Sequence, residues 1–591
     1  MARLALLLHE GSFTPREVRL SRILDFFGVP WKGVTISEFT EMEETSVVCV
    51  VFGSVGAVVA ALERRQEADF AGPKVESFYA YASGDQLASE RGIQLLCGRA
   101  DLSLQKTHLD KLVIVVSKQF ADLAGPMVGL EVSCRLGEED AVLMGNISDG
   151  NPGIETIISA GGSPVFIRCQ HHDGPIFFTA SSQMVDIDQP VGPRFYDVKE
   201  HFCSVVPLVI FLRSMFPDIM WRPQEHGACL IIDDPLLKRR YGFCDFAKLR
   251  DLMRRHQFTT NIAFIPWNWR RTSSAAADFF RSQPELFSIS IHGCDHIAEE
   301  FGAASLEILN HRAKLAQSRM QNHKERTGIQ YDPVMVFPQG VFRSKCPQIL
   351  KQNGFLSAVN TETVPVDSQN AQTRIRDVWD LAIMSYDDFP IFTRRYASHG
   401  LENFAFDLLL GKPCLIVAHH DFFKDGGAGL IDLIERLCSL GSTLRWNQLG
   451  KVVRRACRRR TTGVGVEEVE MYGTELCVDN SSDQTIEVTI RKRESQADLV
   501  SEILCDEKPL KWSTDLEHLV FCDRILPRSA KHFKVIYRNQ TDGRMISRSL
   551  RYEVSVAVRR VLSEFRDNYL SKSLFLYAAT GRLKGALARH N

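Results

Sequence analysis

Two groups of acidic and imidazole side chains in the middle of this 591-residue chain have the types and spacing of a metal site. The first is the adjacent pair Asp233 and Asp234, which ends an apolar run. The second is His292 and His296, which follow another apolar run. One carboxylate and two imidazoles can bind a divalent ion and leave positions open for water and substrate. The second carboxylate is then free to act as a base.

The apolar runs before these groups predict the elements that position them. Each run has the length of a buried strand, and α/β sheets and barrels hold their ligands at the carboxyl ends of strands. A third run, Cys414 to Ala418, ends in His419, His420 and Asp421. Because His292 and His296 are four residues apart, a helical turn would point both to one side. An isolated Asp-Asp pair is more often a cap, and an isolated H-x-x-x-H is mostly accidental. The prediction therefore depends on three polar strand ends within one segment.

These segments resemble two motifs of the polysaccharide deacetylases, carbohydrate esterase family 4. The stretch Ile231–Pro235 fits the first motif, T-F-D-D-G, and His292–His296 fits the second, H-[ST]-x-x-H. The last motif, an apolar strand ending in L-x-H, fits Leu415–His419. The third motif normally reads R-x-P-[FYW]. Here the segment 336–342 has the proline, Pro338, but no arginine two residues before it.

The resemblance implies a role for each matching residue. Asp233 would be the base, His419 the first choice for the acid and His420 the second. Pro338 and Gln339 would lie at the substrate. The metal ligands would be Asp234, His292 and His296. Zinc is the first choice of ion, and other first-row divalent ions also suit two imidazoles and one carboxylate.

The resemblance covers residues 225–450, well under half of the chain, and implies a distorted (β/α) barrel of the polysaccharide deacetylase type. The alternation of strands and helices before it predicts an α/β domain with a mostly parallel sheet at 1–220. Alternating apolar residues predict a small β-sandwich at 465–545, and a helical tail follows at 551–591. A chain of this length is expected to form two to four domains. We expect the barrel to have a hydrophobic core of its own.

Composition excludes some partners. A formal charge of −1 with 24% charged residues gives no bulk attraction to nucleic acid or to an anionic membrane. The apolar stretch at the start of the chain is too short for a secretory signal. We also predict no transmembrane helix. Fifteen cysteines without framework spacing fit reduced thiols in a cytoplasmic protein.

Two segments leave room for peripheral membrane contact. The basic stretch 451–460 is interpreted as a solvated helix end or linker, with an anionic glycan or lipid headgroup as the alternative. The tail carries apolar residues at helical spacing, flanked by arginines, and we expect the tail to dock on the protein rather than on a membrane or partner. These are Val554, Val558, Val561, Leu562, Phe565 and Tyr569.

The function that follows is a metal-dependent hydrolase that removes an N-acetyl or O-acetyl group from an amino-sugar-containing glycan or glycan precursor. Two alternatives stay open. One is a related glycosidase, in which Asp233 and a distant acid act as a carboxylate pair. The other is a catalytically degraded barrel that binds glycan or serves as a scaffold, which the missing arginine of the third motif would favour.

Overall fold

The structure is a computed structural model that describes residues 3–42, 47–67, 73–106, 112–146, 153–192, 195–302, 305–367, 372–538 and 549–572. It is an α/β chain with an N-terminal mixed sheet, a nearly closed parallel barrel, two further β-sheets and a C-terminal helix. This arrangement confirms the predicted fold class. No helix among the described residues is long and apolar enough to span a bilayer.

The N-terminal part is built on one nine-stranded sheet. Its strands and the small β5–β8 pair are β1 (Arg3–His9), β2 (Trp31–Thr35), β3 (Val48–Ser54), β4 (Val75–Tyr81), β5 (Ser103–Lys106), β6 (Leu112–Val116), β7 (Glu131–Cys134), β8 (Ala141–Met144), β9 (Ile154–Ala160), β10 (Ser163–Cys169) and β11 (Ile176–Thr179). Its helices are α1 (Pro15–Phe27), α2 (Ile36–Glu41), α3 (Val55–Glu67), α4 (Gln86–Cys97), α5 (Ala121–Ala124) and α6 (Phe202–Met215).

This sheet has the order β2-β1-β3-β4-β11-β10-β9-β6-β7. The five strands from β2 to β11 are parallel, because helices connect the first four of them. The strands from β11 to β7 are joined as antiparallel pairs. The sheet is therefore mixed, with its parallel half at the start of the chain.

The barrel follows β12 (Arg222–Pro223). Its strands are β13 (His226–Asp233), β16 (Thr260–Phe264), β17 (Phe287–His292), β18 (Val334–Val336), β19 (Ser357–Asn360), β20 (Ile391–Thr393), β21 (Arg395–Tyr396), β22 (Cys414–Ala418) and β23 (Leu444–Trp446), with a small hairpin of β14 (Arg240–Tyr241) and β15 (Cys244–Asp245). Its helices are α7 (Phe246–His256), α8 (Ser274–Arg281), α9 (Leu306–Thr327), α10 (Cys346–Gln352), α11 (Ile375–Trp379), α12 (Leu401–Leu410), α13 (Ala428–Cys438) and α14 (Leu449–Arg455).

The barrel strands run in the order β20-β19-β18-β17-β16-β13-β22-β21, and β23 pairs with β13. All these pairs are parallel. The two edge strands, β20 and β21, are consecutive in the chain and are separated by Arg394 alone. The chain itself thus bridges the gap in the barrel, which is why the barrel is nearly closed.

The C-terminal strands form two sheets around a shared apolar core. They are β24 (Cys457–Gly463), β25 (Val466–Met471), β26 (Glu475–Asn480), β27 (Ile486–Arg493), β28 (Val500–Cys505), β29 (Lys508–Pro509), β30 (Trp512–Asp515), β31 (His518–Ile525) and β32 (Ser529–Tyr537). One sheet has the order β12-β24-β25-β27-β31-β30, and the other β26-β32-β28-β29. The last helix is α15 (Leu550–Asn568).

The basic stretch 451–460 is neither a linker nor a free cationic patch. It covers the end of α14 and the start of β24, and each of its arginines has an acidic partner. The pairs are Arg454 with Glu475, Arg455 with Glu225, Arg458 with Asp380, Arg459 with Glu467 and Arg460 with Glu468. The positive charges of its arginines are therefore neutralised within the protein. The stretch is not a binding surface for an anionic glycan or lipid.

The expectation that the barrel has a core of its own is wrong. One apolar cluster extends from β1 through α6 into β13 and β16. In α6 every residue from Phe202 to Leu212 is buried, so this helix has no solvated face. The N-terminal sheet and the barrel are therefore joined by continuous packing.

Candidate metal centre

The barrel places the ends of three strands side by side. β13 ends at Asp233 and β17 at His292, with β16 between them, while β22 on the other side of β13 is followed by His419. Because these strands are parallel, their carboxyl ends meet at one rim of the barrel. The structure thus brings together three groups that are distant in sequence.

Asp234 turns away from the line of its strand. Its φ is +78°, in the left-handed region that residues with a side chain rarely adopt. As a result, its carboxylate reaches across to the histidines. Its Oδ1 lies 3.5 Å from Nε2 of His292 and 3.0 Å from Nε2 of His296.

The segment from His292 to His296 is a loop, not the helical turn that we expected. Gly293 and His296 both have positive φ, +63° and +57°. A Cβ at Gly293 would lie 2.3 Å from Oε2 of Glu300 and 2.4 Å from Cγ of Pro338, so only glycine fits there. The two imidazoles still meet, with ring centroids 4.8 Å apart.

Glu300 holds this loop in place. Its side chain is fully buried and accepts hydrogen bonds of 2.8–3.1 Å from three consecutive backbone N–H groups. These N–H groups belong to Cys294, Asp295 and His296. The carboxylate of Glu300 therefore takes the place of the hydrogen bonds that a helical turn would have made.

The donor atoms of Asp234, His292 and His296 fit one metal ion. Bonds of about 2.0–2.2 Å at the tetrahedral angle put donor atoms about 3.3–3.6 Å apart. The carboxylate-to-imidazole distances are 3.0 and 3.5 Å, and all three donors lie within 4.8 Å of one another. Oδ1 of Asp234 is also buried and lacks a hydrogen-bond partner among the described residues. A cation between the three atoms would satisfy it.

The backbone sets the orientation of His292. Its Nδ1 lies 2.9 Å from the carbonyl oxygen of Val336, at the end of β18. A carbonyl only accepts, so Nδ1 carries the proton and donates it. The lone pair of the neutral ring is then on Nε2, which points toward Asp234. A hydrogen bond from the second ring nitrogen to a carbonyl or carboxylate usually orients a metal-binding histidine.

Burial and charge set the protonation of the three candidate ligands. Burial lowers the pKa of His296 to about 4, helped by the charges of His292 and Arg560. Burial alone would raise the pKa of Asp234, but the charges of His296 and His292 hold it well below its usual value. Burial likewise lowers the pKa of His292, but the carboxylates of Asp233 and Asp234 outweigh it and raise that pKa. A neutral His296 and an ionised Asp234 are the forms that bind metal.

Asp233 is paired with an arginine that the sequence pattern did not indicate. The guanidinium of Arg394 donates to both carboxylate oxygens of Asp233 at 2.7 Å each. Both side chains are buried, 3% and 5% exposed. Burial alone would raise the pKa of Asp233, but the charge of Arg394 holds it below its usual value. The base candidate is thus ionised and fixed in orientation.

The two histidines after β22 have different surroundings. His419 stacks on Tyr396 with ring centroids 6.1 Å apart, and its charge is among those that lower the pKa of Asp233. His420 turns toward the C-terminal helix, where its Nε2 lies 3.4 Å from Oδ1 of Asp567. Its ring also stacks on Phe243. This arrangement favours His419 as the group that faces the site.

Pro338 and Gln339 follow β18 in a short turn. Pro338 is buried and lies against the backbone of Gly293, so it supports the histidine loop from below. Gln339 is exposed, and its Oε1 accepts a hydrogen bond of 3.2 Å from the backbone N–H of Glu299. Of the two, Gln339 is the one with surface to offer a substrate.

Helix α15 lies across the rim of the barrel and roofs the site. Its contacts reach four of the loops that follow barrel strands. They are Tyr552 Oη to Asp295 Oδ2 (2.9 Å), Tyr241 Oη to Asp567 Oδ2 (2.8 Å), the Gly242 N–H to Asn568 Oδ1 (2.9 Å), Glu564 to both Lys238 and Arg271, and His420 to Asp567. The helix does dock on the protein, as predicted.

Arg560 lies on the inward side of α15. It is 5% exposed, and its Nε has no hydrogen-bond partner in the described part of the chain. Its charge contributes to the lowered pKa of both His296 and Asp234. A buried N–H without an acceptor is costly, so a polar or anionic oxygen beside Nε would be stabilising.

Two further groups among the described residues combine several possible ligands. His171, His172 and Asp173 lie in the turn between β10 and β11, with Nε2 of His172 2.7 Å from Asp173 Oδ2. In the other group, Cys294, Asp295 and Glu300, the two carboxylates already bind backbone N–H groups, Arg319 and Tyr552. Neither combines two imidazoles at a strand end with a separate carboxylate.

The chain is structurally similar to carbohydrate deacetylases, as the motifs led us to expect. The carbohydrate deacetylase Agd3 matches 90% of this chain over 98% of its own length, with 8% identity and a TM-score of 0.46. The chitin deacetylase of Colletotrichum lindemuthianum matches 39% of this chain and 88% of its own, with 16% identity and a TM-score of 0.25. The family 4 carbohydrate esterase of Streptomyces lividans matches 38% and 91%, with 14% identity and a TM-score of 0.22.

At these identities the likeness is one of fold, so the chemistry must be argued from the side chains. No family model matches the sequence, and no curated relative is similar to it.

Proposed function

We propose that this protein is a metal-dependent hydrolase that removes an acetyl group, first of all an N-acetyl group, from an amino-sugar-containing glycan or glycan precursor. The observation that supports this best is that the two adjacent aspartates have different partners. Asp234 converges with His292 and His296, whereas both carboxylate oxygens of Asp233 are bound by Arg394. A hydrolytic site needs both a set of ligands and a separate base.

A divalent ion held by Asp234, His292 and His296 would polarise an acetyl carbonyl and lower the pKa of a water molecule. Zinc is the first choice, and other first-row ions suit the same ligands. Around such an ion, Asp233 is the base that accepts the proton of the attacking water. Arg394 keeps the carboxylate of Asp233 ionised and fixes its orientation.

Collapse of the addition product requires a proton for the departing nitrogen. His419 follows the neighbouring strand, and its charge contributes to the lowered pKa of Asp233, so we assign it the donation of that proton. His420 is committed to Asp567. The roof formed by α15 limits access, and Arg560 is a candidate contact for a polar or anionic oxygen of the substrate. These features favour a defined sugar unit over a flat polymer surface.

The glycosidase alternative needs two carboxyl groups about 5–9.5 Å apart across a sugar ring. Asp233 is sequestered by a bidentate arginine and Asp234 by two imidazoles. Neither of the adjacent aspartates is therefore a free carboxylic acid, and the arrangement favours the deacetylase over the glycosidase. We also propose a cytoplasmic location, supported by cysteines that lie mostly in buried positions and have no framework spacing.

The test is acetate release from a panel of N-acetylated and O-acetylated sugars by protein reloaded with zinc, cobalt or manganese. Asp233→Asn should reduce turnover by about 10²–10⁴, the usual loss for a general base. The matched control is Asp421→Asn, the same change on an exposed carboxylate, which should leave turnover unchanged. If the wild type releases no acetate with any metal, or if Asp233→Asn is as active as the control, the proposal is wrong.

A further inference from the structure

The helix α15 has its apolar side turned toward solvent. Seven large apolar residues recur along it at helical spacing, and each is between 49% and 85% exposed. They are Leu550, Val554, Val558, Val561, Leu562, Phe565 and Tyr569. Surface helices normally bury such a stripe. The helix docks on the protein as expected, but not through these residues.

Polar contacts fix this orientation. The inward side of the helix carries Tyr552, Glu564 and Asp567, each bound to a loop of the barrel rim. Turning the helix over would break these contacts and expose Val556, the one large apolar residue that it buries. The outward position of the apolar stripe is thus determined by the polar contacts that dock the helix. A contiguous apolar stripe of this size marks an interaction surface.

The charges around the stripe are positive. Arg551 and Arg566 are exposed and Arg559 is half-buried. The acidic groups Glu564 and Asp567 bind basic or polar partners on the barrel, and Asp567 also binds Arg566 at 2.7 Å. Glu553 is the other acidic residue of α15 and is half-buried, so Arg551 and Arg559 carry most of the positive charge beside the stripe. Beyond the helix, residues 569–591 contain Lys572, Arg582, Lys584 and Arg589 and no acidic residue.

We propose that the outward face of α15 docks on an anionic lipid surface. An apolar stripe flanked by arginines is the composition of helices that lie in the plane of a bilayer interface. Anionic headgroups attract basic residues next to such a helix and strengthen binding. This surface is independent of the proposed deacetylase function.

Two other occupants are disfavoured by charge. The segment 573–591 has apolar residues of its own, but it is cationic, and the outward face of α15 has the same sign. A second copy of the chain would bring two cationic faces together, which costs rather than contributes free energy. Only a negatively charged apolar surface matches both properties of the face.

The test uses the full chain and vesicles of either phosphatidylcholine alone or phosphatidylcholine mixed with phosphatidylserine. We expect cosedimentation with the anionic vesicles, weakened by added salt. Leu562→Asp should weaken this binding at least tenfold without changing metal content. The matched control is Leu87→Asp, the same change at an apolar residue on α4 that is 78% exposed, which should bind like the wild type.

Three results would overturn the proposal. The first is a folded wild type that binds neither vesicle, as expected if 573–591 covers the face. The second is a dimer that Leu562→Asp dissociates while lipid has no effect. The third is equal loss of binding in Leu562→Asp and Leu87→Asp, since lipid contact would then not depend on α15. Neither metal binding nor acetate release decides among these results.

Discussion

Replacing Arg394 by glutamine should change how Asp233 titrates. The arginine makes two bonds of 2.7 Å to the carboxylate of Asp233, whose side chain is 5% exposed, so water cannot readily replace it. In the wild type the pKa of Asp233 is below its usual value. In Arg394→Gln the largest opposition to burial is lost and only the charges of His292 and His419 still oppose it, so the pKa of Asp233 should rise.

The size of this effect follows from the pair. An arginine beside an aspartate lowers its pKa by about 1–3 units, and each unit corresponds to about 1.4 kcal/mol. The variant should therefore favour the protonated Asp233 by about 1.4–4 kcal/mol more than the wild type. Breaking a buried pair also costs about 3–5 kcal/mol of folding free energy.

The sign of the pH dependence is fixed by the same shift. In the wild type the lowered pKa contributes stability that is present above the unfolded pKa and is lost as pH falls through the folded pKa. In Arg394→Gln the carboxyl group takes up a proton at a higher pH. The acid limb of the pH profile of acetate release should therefore move upward by about 1–3 pH units.

The assay is acetate release between pH 4 and pH 9, together with urea unfolding. The control is Arg395→Gln, which removes the neighbouring buried ion pair of Arg395 with Asp407. Both variants should lose similar stability, but only Arg394→Gln should move the acid limb. Equal pH profiles in wild type and Arg394→Gln, or equal shifts in both variants, would refute the assignment of Asp233 as the base.

Two further predictions concern groups beside the ligands. His419→Ala should keep metal content and lower turnover strongly, whereas His420→Ala should be milder in turnover and should loosen α15, measured by hydrogen exchange of that helix. Equal turnover losses in the two variants would contradict the choice of acid. Glu300→Gln should weaken metal affinity by about 10- to 100-fold, because the carboxylate that binds three N–H groups positions His296. Unchanged affinity by calorimetry would show that the loop holds its shape without this charge.

The strand ends were predictable because their signal is local. An apolar run that stops at a carboxylate or imidazole is readable in a few residues, and parallel strands carry such ends to one rim. Arg394 was not predictable in this way. It lies 161 residues from Asp233, and only the closure of the barrel brings the two together. An arginine directly after a short apolar strand was the sole local hint.

One local expectation failed, and another was incomplete, for physical reasons. The spacing of His292 and His296 suggested a helical turn, but Gly293 adopts a positive φ and the buried Glu300 takes the backbone N–H groups instead. The apolar stripe of α15 predicted a docked helix but not its orientation, because periodicity shows that a helix has two faces and not which one meets the protein. Polar partners on the barrel rim decided the orientation.

The most direct test of the metal centre is the metal content of the purified protein and of three variants after dialysis. We predict one divalent ion per chain in the wild type and its loss in Asp234→Asn and His292→Ala. His171→Ala, which alters the other histidine pair, should keep the ion. Full metal content in both ligand variants, or loss in His171→Ala alone, would contradict the site at Asp234, His292 and His296.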